Sequence, residues 1–464
     1  MRILVVGSGG REHALVWALR RSPGAPEVFA APGNPGIAEL ALCFPIDPSD
    51  PAAVAQLADD LIVDLVVVGP EVPLVAGVAD AVRARGRLAF GPGAAGARLE
   101  GSKAWMKHVL ADAGVPTARH AAFGADDEER ALAFLEEFAA PYVVKTDGLA
   151  AGKGVVVTES LADARDAVRS YLSGDAFGDA GRTLVIEEGL VGAELSLLVV
   201  CNGDPHAAVA LAPAQDFKRI GERDTGPNTG GMGAYSPVPI VDAATVDAVM
   251  DQAVRPTLHW LARNGADYRG VLYAGMMLTA DGPKVIEYNV RFGDPECQVV
   301  LPRITSDFAD LLRAAAAGDP LDVGFSDDAC VTVVLASDGY PVSAKSGDVI
   351  TGIDVATSVN TVTIFHAGTA RDADGTLRTA GGRVLDVTAT GTDLAVARTR
   401  AYEAVGLIKW DGMQYRGDIA AAAAKQTASV AERKTASVAE GKTASVAERE
   451  TGVSGPGDGS APRR

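Results

Sequence analysis

The chain has 464 residues, 48% of them apolar and 22% charged, with a formal net charge of −18. At about 150 residues per domain, that length suggests roughly three domains with ample core and no need of a disulfide or metal staple. The acidic balance argues against a nucleic-acid partner, which needs a basic face, but not against small anions held in a locally positive pocket.

The first hundred residues alternate strand and helix signals. Ile3–Val6 is an apolar run suited to a strand buried on both faces, and it meets Gly7-Ser8-Gly9-Gly10. Arg11–Arg21 carries apolar residues at helical spacing. Further strands are expected at Val28–Ala31, Leu61–Val68 and Leu88–Phe90, each ending in a Gly/Pro loop. That is the pattern of an open parallel sheet with ligands at the carboxyl ends of its strands. The middle of the chain suggests strands at Tyr142–Lys145 and Val155–Val157, joined as a hairpin-like flap, then at Leu184–Glu187 and Leu195–Cys201. Gln215–Ser236 is glycine-rich and polar and is expected to be a long functional loop. Val271–Leu278 and Lys284–Asn289 flank Asp281-Gly282, a hairpin turn signal. From Ser326, short β segments (Cys330–Ala336, Thr361–His366, Arg383–Thr388) suggest a small β-rich domain. Residues 426–449 are three copies of an eight-residue unit, so 421–464 are expected to form a disordered tail.

Cys43, Cys201, Cys297 and Cys330 form no CxxC pair and the histidines no HExxH, which points away from zinc and disulfide frameworks. Free thiols fit a reducing, cytoplasmic setting. The N-terminal apolar run is too short for a signal peptide, and no stretch approaches the roughly 20 apolar residues of a membrane span.

Several strings carry chemistry. Gly7–Glu12 resembles a dinucleotide fingerprint, but Glu12 stands at the third glycine position and no carboxylate ends the second strand. A phosphate cradle and a plain tight turn both remain open for it. In Val143–Val156, Lys145 and Lys153 flank a loop of almost no side-chain bulk, whose backbone could fold over a triphosphate. Ile186–Ser196 joins two strands; its backbone can meet an adenine edge, and Glu194 can accept from ribose hydroxyls. Val285–Glu296 is the most specific string. On a strand, Glu287 and Asn289 share one face and Ile286 and Tyr288 the other. A carboxylate and an amide oxygen side by side suit Mg²⁺, and Arg291 beyond them can bind a phosphate or carboxylate bidentately. Gln215–Arg219 and the glycines after Asn228 suit anion recognition on a loop.

Together these strings resemble the ATP-grasp ligases and, within them, the phosphoribosylamine–glycine ligase family. The resemblance runs from VVGSGGREHAL and APGNPG through VVKTDGLAAGKGVVV and QDFKRIGERDTGPNTGGMGAYSP to EYNVRFGDPECQ and WDGMQYRGDI. It implies an α/β fold, with an N-terminal open parallel-sheet domain at 1–101 and an α+β ATP-grasp unit at 102–325. A flap subdomain at about 119–189 and a small β-rich C-terminal domain at 326–420 complete it. It implies ATP-dependent ligation of glycine to 5-phosphoribosylamine through a glycyl phosphate, in de novo purine biosynthesis, by a cytoplasmic monomer. Another ATP-grasp carboxylate–amine ligase and a Rossmann oxidoreductase are the alternatives. Carried over by position, Glu287 and Asn289 would hold Mg²⁺ or Mn²⁺. Lys103, Lys145, Gly148, Gly152, Lys153, Gly154, Glu187, Glu188, Leu190 and Glu194 would bind ATP. Gly9, Gly10, Arg11, Gly33, Asn34, Gly69, Pro70, Glu71, Asn228 and Gly230 would bind substrate. Arg291, Asp216, Lys218 and Arg219 would be catalytic. Gly189 and Ala193 depart from the family's larger hinge residues, which implies looser adenine packing.

Overall fold

Strand β1 (Arg2–Gly7) is fully buried from Ile3 to Val6, as a central parallel strand requires. It pairs in parallel with β2 (Glu27–Pro32) and β4 (Leu65–Val68). With β3 (Leu42–Cys43) and β5 (Leu88–Phe90) the sheet order is β3-β2-β1-β4-β5. The computed structural model describes residues 1–149, 154–174 and 183–427. The strand expected from Leu61 starts at Leu65. Asp50 caps the preceding helix Pro51–Asp60 through the N–H groups of Ala52 (2.9 Å) and Ala53 (3.1 Å). That helix closes at Leu61, and Ile62 turns the chain with φ of 50°.

The flap is an antiparallel sheet of its own: β6 (His120–Gly124), β7 (Tyr142–Thr146), β8 (Val155–Thr158) and β9 (Thr183–Glu188), in the order β6-β9-β7-β8. β7 and β8 pair antiparallel, as a hairpin does. Helices Glu128–Leu135 and Leu161–Leu172 pack on it, and Phe123, Leu135, Val144, Val168 and Ile186 form a core separate from the rest of the molecule.

The core sheet begins with β10 (Ala193–Asn202) and β11 (Val209–Ala210). Residues 215–236, expected as an irregular loop, contain short strands instead: β12 (Gln215–Asp216), β13 (Arg219–Gly221), β14 (Thr225–Asn228) and β15 (Gly233–Ser236). Periodicity over two to four residues is too brief to read, which is why sequence analysis missed them. β16 (Arg269–Thr279) and β17 (Gly282–Asn289) complete the core sheet in the order β11-β10-β16-β17. A bulge interrupts the last pair: Met276 faces Val285 and Gly275 faces Glu287, leaving Ile286 extra. Val285 and Tyr288 are therefore the core residues here, rather than Ile286 and Tyr288, and Glu287 and Asn289 are left to the opposite side.

The C-terminal sheet holds β18 (Ala329–Ala336), β19 (Val362–His366) and, after the hairpin of β20 (Thr369–Arg371) and β21 (Leu377–Thr379), β22 (Arg383–Gly391). Its order, β12-β15-β18-β22-β19, takes two strands from the 215–236 segment. The domain is not only β. Asp393 caps helix Leu394–Val405 through Val396 N at 2.9 Å, and Leu394, Ala397, Ala401, Ala404 and Val405 are buried in the core. Residues 421–427, expected in the disordered tail, are helical, with Ala423 and Ala424 buried; 428–464 lie outside the described residues. Among the described residues, no helix is long and apolar enough to cross a membrane.

Candidate active site

The carboxyl end of β17 opens into a cleft of about 370 Å³ walled by all parts of the molecule. Arg11 and Glu71 come from the N-terminal domain; Lys103 stands at the start of helix Lys103–Asp112; Leu149, Gly154 and Val155 belong to the flap. Asp216, Lys218 and Gly230 come from the 215–236 segment, and Glu287, Asn289 and Arg291 from β17 and the turn after it. All of these except Leu149 and Val155 are expected from the sequence.

The flap is tied to the floor at its base. Asp147 caps helix Lys103–Asp112 by accepting from Ala104 N at 2.7 Å, and Lys103 Nζ donates to Gly148 O at 3.2 Å. Thr146 N bonds Gly154 O at 2.8 Å, closing the loop between β7 and β8. Gly152 and Lys153 lie outside the described residues. Lys145 is 3% exposed and pairs at 2.9 Å with Glu187. The Glu187 side chain is thus spent on lysines, and the Glu188 N–H donates to Arg119 O at 2.8 Å. Backbone past the strand, at Gly189 and half-exposed Leu190, is what this hinge has left for a ligand. A Cβ at Gly189 would sit 2.1 Å from Pro141 O, so glycine there reflects a close backbone approach, not looser packing.

Glu287 has no hydrogen-bond donor among the described residues, and Asn289 Oδ1 accepts only from Arg291 Nη2 at 3.3 Å. Two oxygen ligands facing a cleft, one a free carboxylate, fit a hard divalent cation that shares its other positions with water and phosphate. Arg291 Nη2 also donates to Glu100 at 2.8 Å, and its Nε to Glu71 at 3.3 Å. Burial would raise the Glu71 carboxyl, but the Arg291 and Arg11 guanidiniums outweigh it and hold it at about 2. Lys218 Nζ lies 2.5 Å from Glu194 and 3.2 Å from Asp216. The Glu194 carboxylate is thereby committed to a lysine. Asp216, with a side chain only 5% exposed, is pushed up to about 7, chiefly by burial.

Other expected residues stand elsewhere. Gly9, Gly10, Gly69 and Pro70 are not among the cleft-lining residues; beside them Glu12 accepts from Gly9 N at 2.6 Å and pairs with Arg11 at 2.6 Å. A Cβ at Gly69 would lie 2.1 Å from the same carboxylate, and one at Gly10 would lie 1.9 Å from Asp386. The glycine run is therefore cut to fit protein carboxylates. Asn34 donates to Ser8 O (2.9 Å) and to His366 O of the C-terminal sheet (2.7 Å) and accepts from Ile37 N, so it ties the two domains together, while Gly33 packs on Cys43. Arg219 donates to Gly226 O at 2.7 Å and to Val157 O of the flap at 3.4 Å, so it reaches across to the flap rather than into the cleft. Asn228 pairs with Arg219 in the hairpin.

The cleft also contains residues that sequence analysis did not choose: Glu100, Thr229, Tyr273, Asp294, Glu296, Tyr340 and Arg383. Tyr273 OH donates to Glu296 at 2.6 Å. Asp294 and Glu296 lay inside a string already marked, but Tyr340 and Arg383 come from the C-terminal domain and carry no local signal.

Family models for phosphoribosylglycinamide synthetase match the chain in three parts: the N domain at 1–100, the ATP-grasp (A) domain at 101–297 and the C domain at 330–422. A phosphoribosylamine–glycine ligase of Brucella melitensis is 48% identical over 428 residues, covering 92% of this chain and 99% of the relative. One from Streptomyces coelicolor is 51% identical, covering 91% and 100%. The crystal structure of a Thermotoga maritima phosphoribosylamine–glycine ligase superposes with a TM-score of 0.79 at 33% identity, covering 90% of this chain and 100% of that one. A biotin carboxylase domain from Hydrogenobacter thermophilus, 18% identical with a TM-score of 0.66, shares the fold.

Proposed function

The chain belongs to the phosphoribosylglycinamide synthetase family, and on that premise we propose how its own residues carry the reaction. It is an ATP-dependent carbon–nitrogen ligase that joins glycine to 5-phosphoribosylamine in purine biosynthesis. The observation that carries the residue-level reading is Glu287, which accepts no side-chain hydrogen bond among the described residues, beside Asn289, across one cleft from Lys103 and next to Arg291.

A carboxylate does not condense with an amine in water, because oxide is a poor leaving group. Phosphoryl transfer solves this. A glycine carboxylate oxygen attacks the γ-phosphorus of ATP, ADP leaves, and glycyl phosphate forms. The amine of phosphoribosylamine then attacks the acyl carbon, the carbon–oxygen bond breaks, and phosphate leaves with that oxygen. Catalysis here is positioning and charge neutralisation. Glu287 and Asn289 would hold Mg²⁺ or Mn²⁺, which neutralises phosphate charge. Lys103 and Lys145 meet the nucleotide phosphates, with Gly148 and Gly154 at the two ends of the flap loop and Leu190 beside the adenine. Arg291, fixed by Glu71 and Glu100, orients the acid on the opposite wall. Asp216, held near neutrality, takes the proton the amine loses, and Lys218 keeps that carboxylate in place. Flap closure keeps water from the acyl phosphate. The need for ATP supports a cytoplasmic setting.

The test is ADP release with freshly made phosphoribosylamine, glycine and Mg-ATP. Release should require glycine; an unchanged rate without it refutes the assignment.

A further inference from the structure

Beneath the nucleotide side of the cleft lie three buried charges, two of which, Lys107 and Glu187, the mechanism above does not use. Lys107, from helix Lys103–Asp112, is 1% exposed; Lys145 of β7 and Glu187 of β9 are each 3% exposed. Lys107 Nζ donates to Thr117 Oγ1 at 2.7 Å and to Glu187 Oε2 at 2.8 Å. Lys145 Nζ lies 2.9 Å from the other oxygen of the same carboxylate and donates to Ile286 O at 3.2 Å. Glu187 therefore holds one ammonium on each oxygen, and the trio carries a net charge of +1.

The count matters because of depth. Buried charges are screened far less than exposed ones, so a neutral pair and a positive trio present very different potentials to a phosphate. Without Lys107, Glu187 would neutralise Lys145 alone. A purely structural role does not ask for a lysine at 107. An apolar side chain of the same length would fill the space without the cost of desolvating an ammonium. Burial pushes the Lys107 ammonium down, and Glu187 holds it up, to about 8, so it stays charged at neutral pH.

We propose that Lys107 is a positioning residue of the ligase: by occupying one oxygen of Glu187, it leaves Lys145 a surplus positive charge for the nucleotide phosphates. The inference rests on the reading that Lys145 meets those phosphates.

The full-length enzyme and four variants test it, with KM for ATP, kcat, and MgADP affinity by calorimetry as readouts, and circular dichroism as the folding check. Lys107→Met leaves Glu187 paired with Lys145 and should fold. Its KM for ATP should rise and its MgADP affinity fall by about tenfold, the scale of one charge-assisted contact, with a smaller change in kcat. Lys107→Arg, which keeps the charge, should bind nearly as the wild type does. Adding Glu187→Gln to Lys107→Met should recover most of the lost affinity, since Lys145 regains its surplus charge. A structural defect would instead deepen with the second change. Unchanged nucleotide affinity in Lys107→Met, or a double variant no better than the single one, overturns the inference. Lys145→Met separates the levels. If it binds MgADP normally, the parent reading of Lys145 fails and the inference falls with it. If it binds weakly while Lys107→Met does not, the inference alone fails.

Discussion

Arg383 of the C-terminal sheet grips Asp294 at two points: Nη2 pairs with the carboxylate at 2.9 Å, and Nη1 donates to its backbone carbonyl at 2.7 Å. Nη1 also reaches Gly230 O at 2.7 Å. One C-terminal side chain thus pins two cleft walls, the turn after β17 and the 215–236 segment. Arg383→Ala leaves half-buried Asp294 with a single side-chain donor among the described residues, Gln298, at 2.8 Å. The variant should melt lower and lose about 100-fold in kcat/KM through misplacement of the walls. Steady-state kinetics alongside thermal melts check this; unaltered kcat/KM would show that the clamp is irrelevant to the chemistry.

Asp386 lies on the same strand as Arg383 and accepts from Gln298 Nε2 at 2.9 Å, while its Oδ1 has no partner. Burial first, and the nearby Asp294 charge second, push its carboxyl up to about 7. The folded state binds this proton more tightly than the unfolded one. The stability it supplies is therefore complete below the unfolded value near 4 and is lost as pH rises towards 7. Asp386→Asn should raise the melting temperature at pH 8 by a few degrees relative to its effect at pH 4.5. An equal shift at both pH values would contradict the assignment.

The N- and C-terminal domains also meet through two buried histidines. His366 N donates to His13 Nδ1 at 2.8 Å, and burial drives His13 down to about 3 and His366 to about 4. Both are neutral when folded. Their contribution is present above the unfolded value near 6.5 and is lost as pH falls through the folded values. His366→Phe keeps the ring and the backbone bond to His13. It should flatten the loss of melting temperature between pH 6.5 and 4; a curve parallel to that of the wild type would count against this site as the acid-labile contact.

Chelation tests the oxygen pair on β17. EDTA should abolish ADP release, and added Mg²⁺ or Mn²⁺ should restore it. Glu287→Ala should lower turnover by more than about 100-fold while leaving circular dichroism unchanged. Wild-type turnover in that variant would remove Glu287 from the metal.

What could be read from sequence was what is local. The apolar run Ile3–Val6 announces its strand, and the Glu287–Asn289 pair is visible because both residues sit on one short segment, although the bulge at Ile286 is not. Glu12 was noticed as a misplaced fingerprint residue. Its role, filling the space beside Gly9 and Gly69, depends on loops from two strands meeting. Arg383 and Tyr340 could not be found, since nothing near them in the chain marks them and only the order β15-β18-β22 carries them to the cleft. Asn34 and Arg219 show the converse: polar side chains in suggestive loops donate to backbone carbonyls that the sequence does not place.

The central claim, that this cleft activates a carboxylate by phosphoryl transfer, is tested most directly with glycine labelled with ¹⁸O in its carboxylate. Turnover with phosphoribosylamine and unlabelled ATP should deliver one ¹⁸O atom to each inorganic phosphate released, read by mass spectrometry. Phosphate free of ¹⁸O, with product still formed, would contradict the account.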